Sequence, residues 1–205
     1  GSSVTLGQTN AITNLGAFSD GTTFSLTNVG GLTVTGAVGG GSGLTSITTS
    51  AGTLAVSAAG SVTGAGTTLA TTGSGDITLA GNVNAGLGTA TLTSAGLISQ
   101  SGGTINAATL TGSAGTSVAL GQANTLTNLG AFTAGGAFAL NDIGGLNVNG
   151  NVVTGGTTSI VTTVSPLAIG ANIDATGFGL TLQGIGVNQT TGNILAAATT
   201  VNAGT

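Results

Sequence analysis

The side chains able to do chemistry in this chain are few enough to take one at a time. Asp20, Asp76, Asp142 and Asp174 are its only charged residues, and Lys, Arg, His, Glu, Cys, Met, Trp and Tyr are absent. Glycoside hydrolysis needs two carboxyl groups about 5–10 Å apart across the scissile bond. The nearest pair in sequence, Asp142 and Asp174, stand far enough apart along the chain to be expected on different faces of the fold. General acid–base work usually draws on His, Glu, Asp, Lys, Tyr or Cys, and five of these six are missing. Each Asp therefore reads as a solvated turn residue. The chain is expected not to be an enzyme, and no catalytic, cofactor-binding or metal-binding residues are assigned.

The remaining motifs are weaker. "GNVNAGLG" from Gly81 lacks the carboxylates that calcium-binding solenoid repeats and other calcium sites supply. "AVGGGSG" from Ala37 has neither the Lys nor the helix of a phosphate loop, so it reads as a flexible corner loop. Thr-x-Thr pairs occur at Thr33/Thr35, Thr91/Thr93, Thr109/Thr111 and Thr125/Thr127. On one face they would make an ice- or crystal-binding rank, but their uneven separations along the chain are expected to scatter them. With no cation and a net charge of −4, the chain has nothing to neutralise phosphates, which excludes nucleic acid as a partner. Attraction to anionic lipid headgroups is excluded on the same ground.

The elements that position these residues follow from the pattern. The 205 residues include 41 Gly and 40 Thr, one Pro and five Phe, and are 40% hydrophobic with little charge, which is not the composition of disorder. No apolar run approaches the roughly 18 residues of a spanning helix, and the aromatic girdles of membrane barrels are missing. Missing Cys is compatible with a reducing compartment or with export that avoids disulfides. Neither an initiator Met nor a basic-then-apolar leader is present, so the residues read as an internal piece of something longer. Short runs such as "FSLT" at Phe24, "LTVTG" at Leu32, "DITLA" at Asp76 and "LNVNG" at Leu146 alternate apolar and polar side chains, the period of a half-buried strand. Gly, Asn, Ser and Thr between them supply turn chemistry. Runs recur about every 20 residues, too short an interval for a propeller blade and suited to one solenoid turn of two or three strands.

"TNLGAFSDGTTFSLTNVGGLTVTG" from Thr13 is rewritten as "TNLGAFTAGGAFALNDIGGLNVNG" from Thr127, an offset of 114, and residues 1–38 and 115–152 share 22 of 38 identities. "ATLTSAGLISQSGGTINAATL" from Ala90 matches the passage from Leu180 at an offset of 90, so the second unit is shorter by about one coil. "LTSITTSAGTLAV" from Leu44 and "TTLATTGSGDITL" from Thr67 both resemble "TSIVTTVSPLAIG" from Thr158, which marks the surplus as a duplicated coil. The expected fold is all-β: a parallel β-helix (β-solenoid) of about ten coils of roughly 20 residues, one continuous segment over 1–205 with internal units 1–114 and 115–205. Such a rod would be on the order of 48 Å long. Phe18 with Phe24, and Phe132 with Phe138, are expected to pack inside near a corner, and Pro166 to open a strand.

"LGAF", the "GGLxVxG" pattern and "GLISQSGGTINAATLTG" resemble the haemagglutinin-type repeats of filamentous-haemagglutinin-like exoproteins, the large adhesins of bacterial two-partner secretion. The resemblance runs over nearly the whole chain, which differs from typical members in having no Lys, Arg or Glu. It implies a right-handed helix, an extracellular or cell-surface location, export through an outer-membrane two-partner secretion transporter, and a shaft carrying an adhesive or toxic tip toward a host-surface or matrix receptor. The expected function is a structural or adhesive shaft segment of a secreted or surface-displayed bacterial adhesin or extracellular fibre. The alternatives are an ice- or surface-binding solenoid with Thr-rich faces and a filament subunit that self-associates end to end.

Overall fold

A computed structural model describes residues 2–204. Among them are 24 strands and no helix, so no helix is long and apolar enough to cross a membrane. Every strand pairing is parallel, each strand lying beside one about a coil earlier and one about a coil later. The molecule is a β-solenoid of about ten coils with three strands to the coil. Parallel pairing in register puts each inward side chain over its equivalent in the next coil. One column of inward positions runs from Leu6, 40% exposed in the first coil, through Leu26, Ile47, Leu69, Leu92, Gly112, Phe132, Val152 and Ile173 to Ile194. The ring of Phe132 falls at the register position beside Gly112, the one member of that column without a side chain.

The period-two runs explain why the core is continuous. In Phe24–Asn28 and Phe138–Asp142 buried and half-buried positions alternate, so each strand gives one row to the interior and one to the surface. Burying a Leu, Ile, Val or Phe side chain stabilises by about 1.5–3 kcal/mol, and 38 buried hydrophobic residues form one cluster along the rod. The phenylalanines pair as expected across a corner: the Phe18 and Phe24 rings lie 4.8 Å apart and those of Phe132 and Phe138 5.3 Å apart. Pro166 immediately precedes the strand Leu167–Ile169, where its missing N–H interrupts no ladder.

The three faces can be followed by register. The first face carries Val4–Asn10, Phe24–Asn28, Leu44–Thr49, Gly66–Thr71 and Thr89–Ser94; the second carries Asn14–Leu15, Leu32–Val34, Leu54–Val56, Ile77–Leu79 and Ile98–Gln100. The third carries Phe18–Ser19, Ala37–Gly39, Ser61–Thr63 and Asn82–Asn84. Val118, the counterpart of Val4, does not return to the first face. It pairs with Ile98 and Phe138, on the second.

The whole second copy is displaced in the same sense. The counterpart of Phe24–Asn28, Phe138–Asp142, lies on the second face and that of Leu32–Val34, Leu146–Val148, on the third. The offset of 114 therefore advances five coils and one third. The offset of 90, from Ala90 on the first face to Leu180 on the second, advances four and one third. The two differ by one whole coil, which is the surplus legible in the sequence. The displacement is accommodated where strands run on through corners, in Ile105–Ala114 and the 17-residue Val118–Ala134, with a register shift between Leu110 and Gly112.

Candidate functional site

The aspartates are the first place to look for chemistry, and the structure keeps them apart. Among the described residues no three His, Cys, Asp or Glu side chains gather where they could hold a metal ion. Asp142 ends a second-face strand while Asp174 lies on the first face, so the expectation of different faces holds. Asp174 is not in a turn but within Ile173–Gly184; its Oδ1 accepts from the Thr176 hydroxyl at 2.6 Å and the Thr176 N–H at 3.0 Å. These bonds lower its carboxyl below the ordinary 3.8. Asp76 is half-buried and accepts the Leu97 N–H of the next coil at 2.8 Å. Asp20 is also half-buried, and its Oδ2 takes the Val4 N–H at 3.2 Å.

Asp142 corrects the sequence reading outright: it is fully buried rather than a solvated turn residue. It ends a strand at an interior corner position, in a column of polar residues that bond the backbone of the turns. On the first face this column is Asn10, Asn28, Thr49, Thr71 and Ser94; on the second face it includes Gln100 of the first copy and then Asn124, Asp142 and Thr162 of the second. Asn124 donates to the Leu120, Gln122 and Asn141 carbonyls, and its Oδ1 accepts from Ile105 N–H and Gln100 Nε2. Most buried polar groups in folded proteins are bonded in this way. The sequence does contain the signal at several of these corners: Asn28, Thr71, Ser94, Asp142 and Thr162 each stand one step beyond an alternating run. Alternation alone reads it as the start of a turn.

The Thr pairs also need correction. Thr33 is on the second face and Thr125 on the third, but Thr91/Thr93 and Thr111 share the first. There they belong to an unbroken outward row across six coils: Thr5, Ser25, Ser46, Thr68, Thr91, Thr111. A parallel row two residues along holds Thr27, Thr48, Ala70, Thr93 and Ser113. The intervals between successive members of the first row are unequal, because the coils differ in length. A search for fixed intervals misses them, as does a search for Thr pairs when Ser fills some positions. Rows repeat about every 4.7–4.9 Å along the axis and members of a strand about 6.6–6.8 Å across it.

The glycine-rich passage at Ala37 is only partly a corner loop, its turn being confined to residues 41–43. Ala37–Gly39 is a strand, and the buried Gly40 donates its N–H to the Thr45 hydroxyl at 2.7 Å and the Thr63 carbonyl at 3.1 Å. A side chain at Gly40 would press on Thr45 and the Phe24 backbone, and Gly41 has φ +51°. These glycines serve close packing. "GNVNAGLG" is likewise structural: Asn82–Asn84 is a strand, and Asn106 Nδ2 of the next coil donates to Asn84 Oδ1 at 3.2 Å. The surface concavities are shallow; one of about 320 Å³ crosses the second face beside Ala139, Ser159, Thr181 and Thr200, and no titratable side chain lines it. No family model, curated protein or solved structure matches this chain.

Proposed function

We propose that this chain is a shaft: a structural or adhesive segment of a large secreted or surface-displayed bacterial β-helical protein of the filamentous-haemagglutinin type, with no catalysis of its own. A β-solenoid is consistent with a structural or adhesive repeat protein, and one observation carries the reading. About ten coils stack on one unbroken interior while the surface bears uncharged side chains, most of them small, and few, dispersed carboxylates. Such a fold supplies length and rigidity, since each coil rests on its neighbours. Its stability comes from backbone pairing and stacked aliphatics, because ion pairs between side chains need cations the chain does not have. Export through a two-partner secretion transporter and contact with a host-surface or matrix receptor are the partners this reading carries.

Electron microscopy of the native material tests it. Thin rods with an axial spacing of about 4.8 Å, lost from the culture medium when the outer-membrane transporter is deleted, are the expected result. A compact isolated particle, or export unaffected by the deletion, would overturn it.

A second reading is favoured by the hydroxyl rows of the first face: a solenoid that binds ice or another ordered surface through Ser and Thr. It is tested by thermal hysteresis of the purified chain and of a Ser46→Tyr/Thr68→Tyr variant. Activity in the native chain that the variant loses supports surface binding; freezing behaviour equal to an inert control leaves the shaft reading alone.

A further inference from the structure

The doubled passage places the same corner in two chemical forms. In the first copy Asn28 is fully buried; its Oδ1 accepts the Ile12 N–H at 2.7 Å, and its Nδ2 donates to the Ile12 carbonyl at 3.0 Å and the Gly30 carbonyl at 2.9 Å. The counterparts of Asn28, Ile12 and Gly30 are Asp142, Leu126 and Gly144. There Oδ1 accepts the Leu126 N–H at 2.7 Å, matching Asn28, while Oδ2 accepts the Gly144 N–H at 2.8 Å. The second half of the motif is thus inverted. The turn aims a carbonyl at the amide donor of Asn28 and an N–H at the carboxylate of Asp142.

The inversion follows from hydrogen-bonding capacity. An ionised carboxylate only accepts, whereas a protonated one pairs an acceptor oxygen with one O–H donor, the same complement that the Asn28 amide presents to Ile12. We propose that Asp142 is a proton-operated switch of the turn Ile143–Gly145: ionised, it holds the Gly144 N–H inward, and protonated, it donates as Asn28 does and releases that N–H. Burial raises the carboxyl above its ordinary 3.8, against the lowering by the Leu126 and Gly144 N–H groups. No other ionisable side chain faces it. The strands Val118–Ala134, Leu146–Val148, Thr158–Thr162 and Leu167–Ile169 carry none, Asp174 is on another face, and Asp20 and Asp76 belong to the first copy. The turn bears Ile143, 40% exposed.

The test is ¹H–¹⁵N NMR of the folded chain between about pH 3 and pH 8, following the Gly144 and Leu126 amides. The Gly144 amide is expected to titrate with a midpoint above 3.8. In Asp142→Asn it should sit at the acid-form position at every pH and exchange with solvent about five- to tenfold faster than in the native chain at neutral pH, the loss of one hydrogen bond. The reciprocal Asn28→Asp should make Gly30 titrate, which keeps the proposal testable if the first variant folds poorly. A pH-independent Gly144 amide, or an Asp142→Asn spectrum with Gly144 at its native neutral position, would overturn it.

Discussion

At the residue scale, the interior is polar where polar atoms have partners, and the exceptions are informative. The Thr67 hydroxyl is buried and makes no hydrogen bond, although Thr45, beside it in the adjacent coil, both accepts and donates. A buried group left unpaired costs about 1–3 kcal/mol. Thr67→Val keeps the shape and removes the hydroxyl, so it should raise stability by an amount in that range, read as a higher urea midpoint at unchanged slope. Acidity makes a second prediction. A carboxyl raised by burial, as at Asp142, withdraws stability as pH rises above 3.8 through its folded value; one lowered by hydrogen bonds, as at Asp174, withdraws it as pH falls below 3.8. Together these two groups make stability fall on both flanks, with a maximum between the lowered folded value of Asp174 and the raised one of Asp142, and urea midpoints between pH 2 and pH 7 should show it. Asp142→Asn should flatten the neutral side and leave the acid side. Sequence spacing was enough to put Asp142 and Asp174 on different faces, but the burial of Asp142 was not legible, because nothing local distinguishes a corner residue that turns inward from one that turns out.

At the scale of strands and turns, the alternating runs were legible because period two has one meaning when a row of Val, Leu and Ile is buried against the next coil. The glycines were not, since a turn glycine and a glycine kept small by a neighbouring coil look alike in sequence. Gly36 and Gly150 occupy the same place in the two copies, and a side chain at either would drive into the backbone of Ala17 or Ala131. Nothing lies near a side chain built at Gly121. Gly150→Ala should therefore lose about 1–3 kcal/mol or more, as overpacked sites do, while Gly121→Ala should stay within about 0.5 kcal/mol of the native chain. Urea unfolding of the two variants side by side reads the contrast, and equal stabilities would mean the coils are less tightly apposed at Ala131 than the structure has them.

At the scale of the whole molecule, coil length and coil number emerged from the sequence, but the turn of one copy against the other did not. Because the coils differ in length, an offset of 114 does not say at which corner the repeat restarts. Only pairing decides, and it puts the second copy one face further round. The rule that follows is that whole coils can be removed without disturbing the faces, while part of a coil cannot. Deleting residues 66–88 joins Ala65 to Thr89, the residue that stands in register with Gly66 in the next coil. Ile47 then meets Leu92, Leu54 meets Ile98 and Val62 meets Ile105, apolar on apolar, Val56 meets Gln100, and the outward row passes from Ser46 to Thr91 unbroken. The shortened chain should fold with native-like strand content and amide protection, one coil or about 4.8 Å shorter. Deleting residues 66–76 instead brings the three-residue strand Ile77–Leu79 to the place of the six-residue Gly66–Thr71 and displaces every later strand by one face. That chain should lose amide protection from the cut onward. Equal protection in the two deletions would mean that the faces are interchangeable and that the displacement between the copies carries no structural constraint.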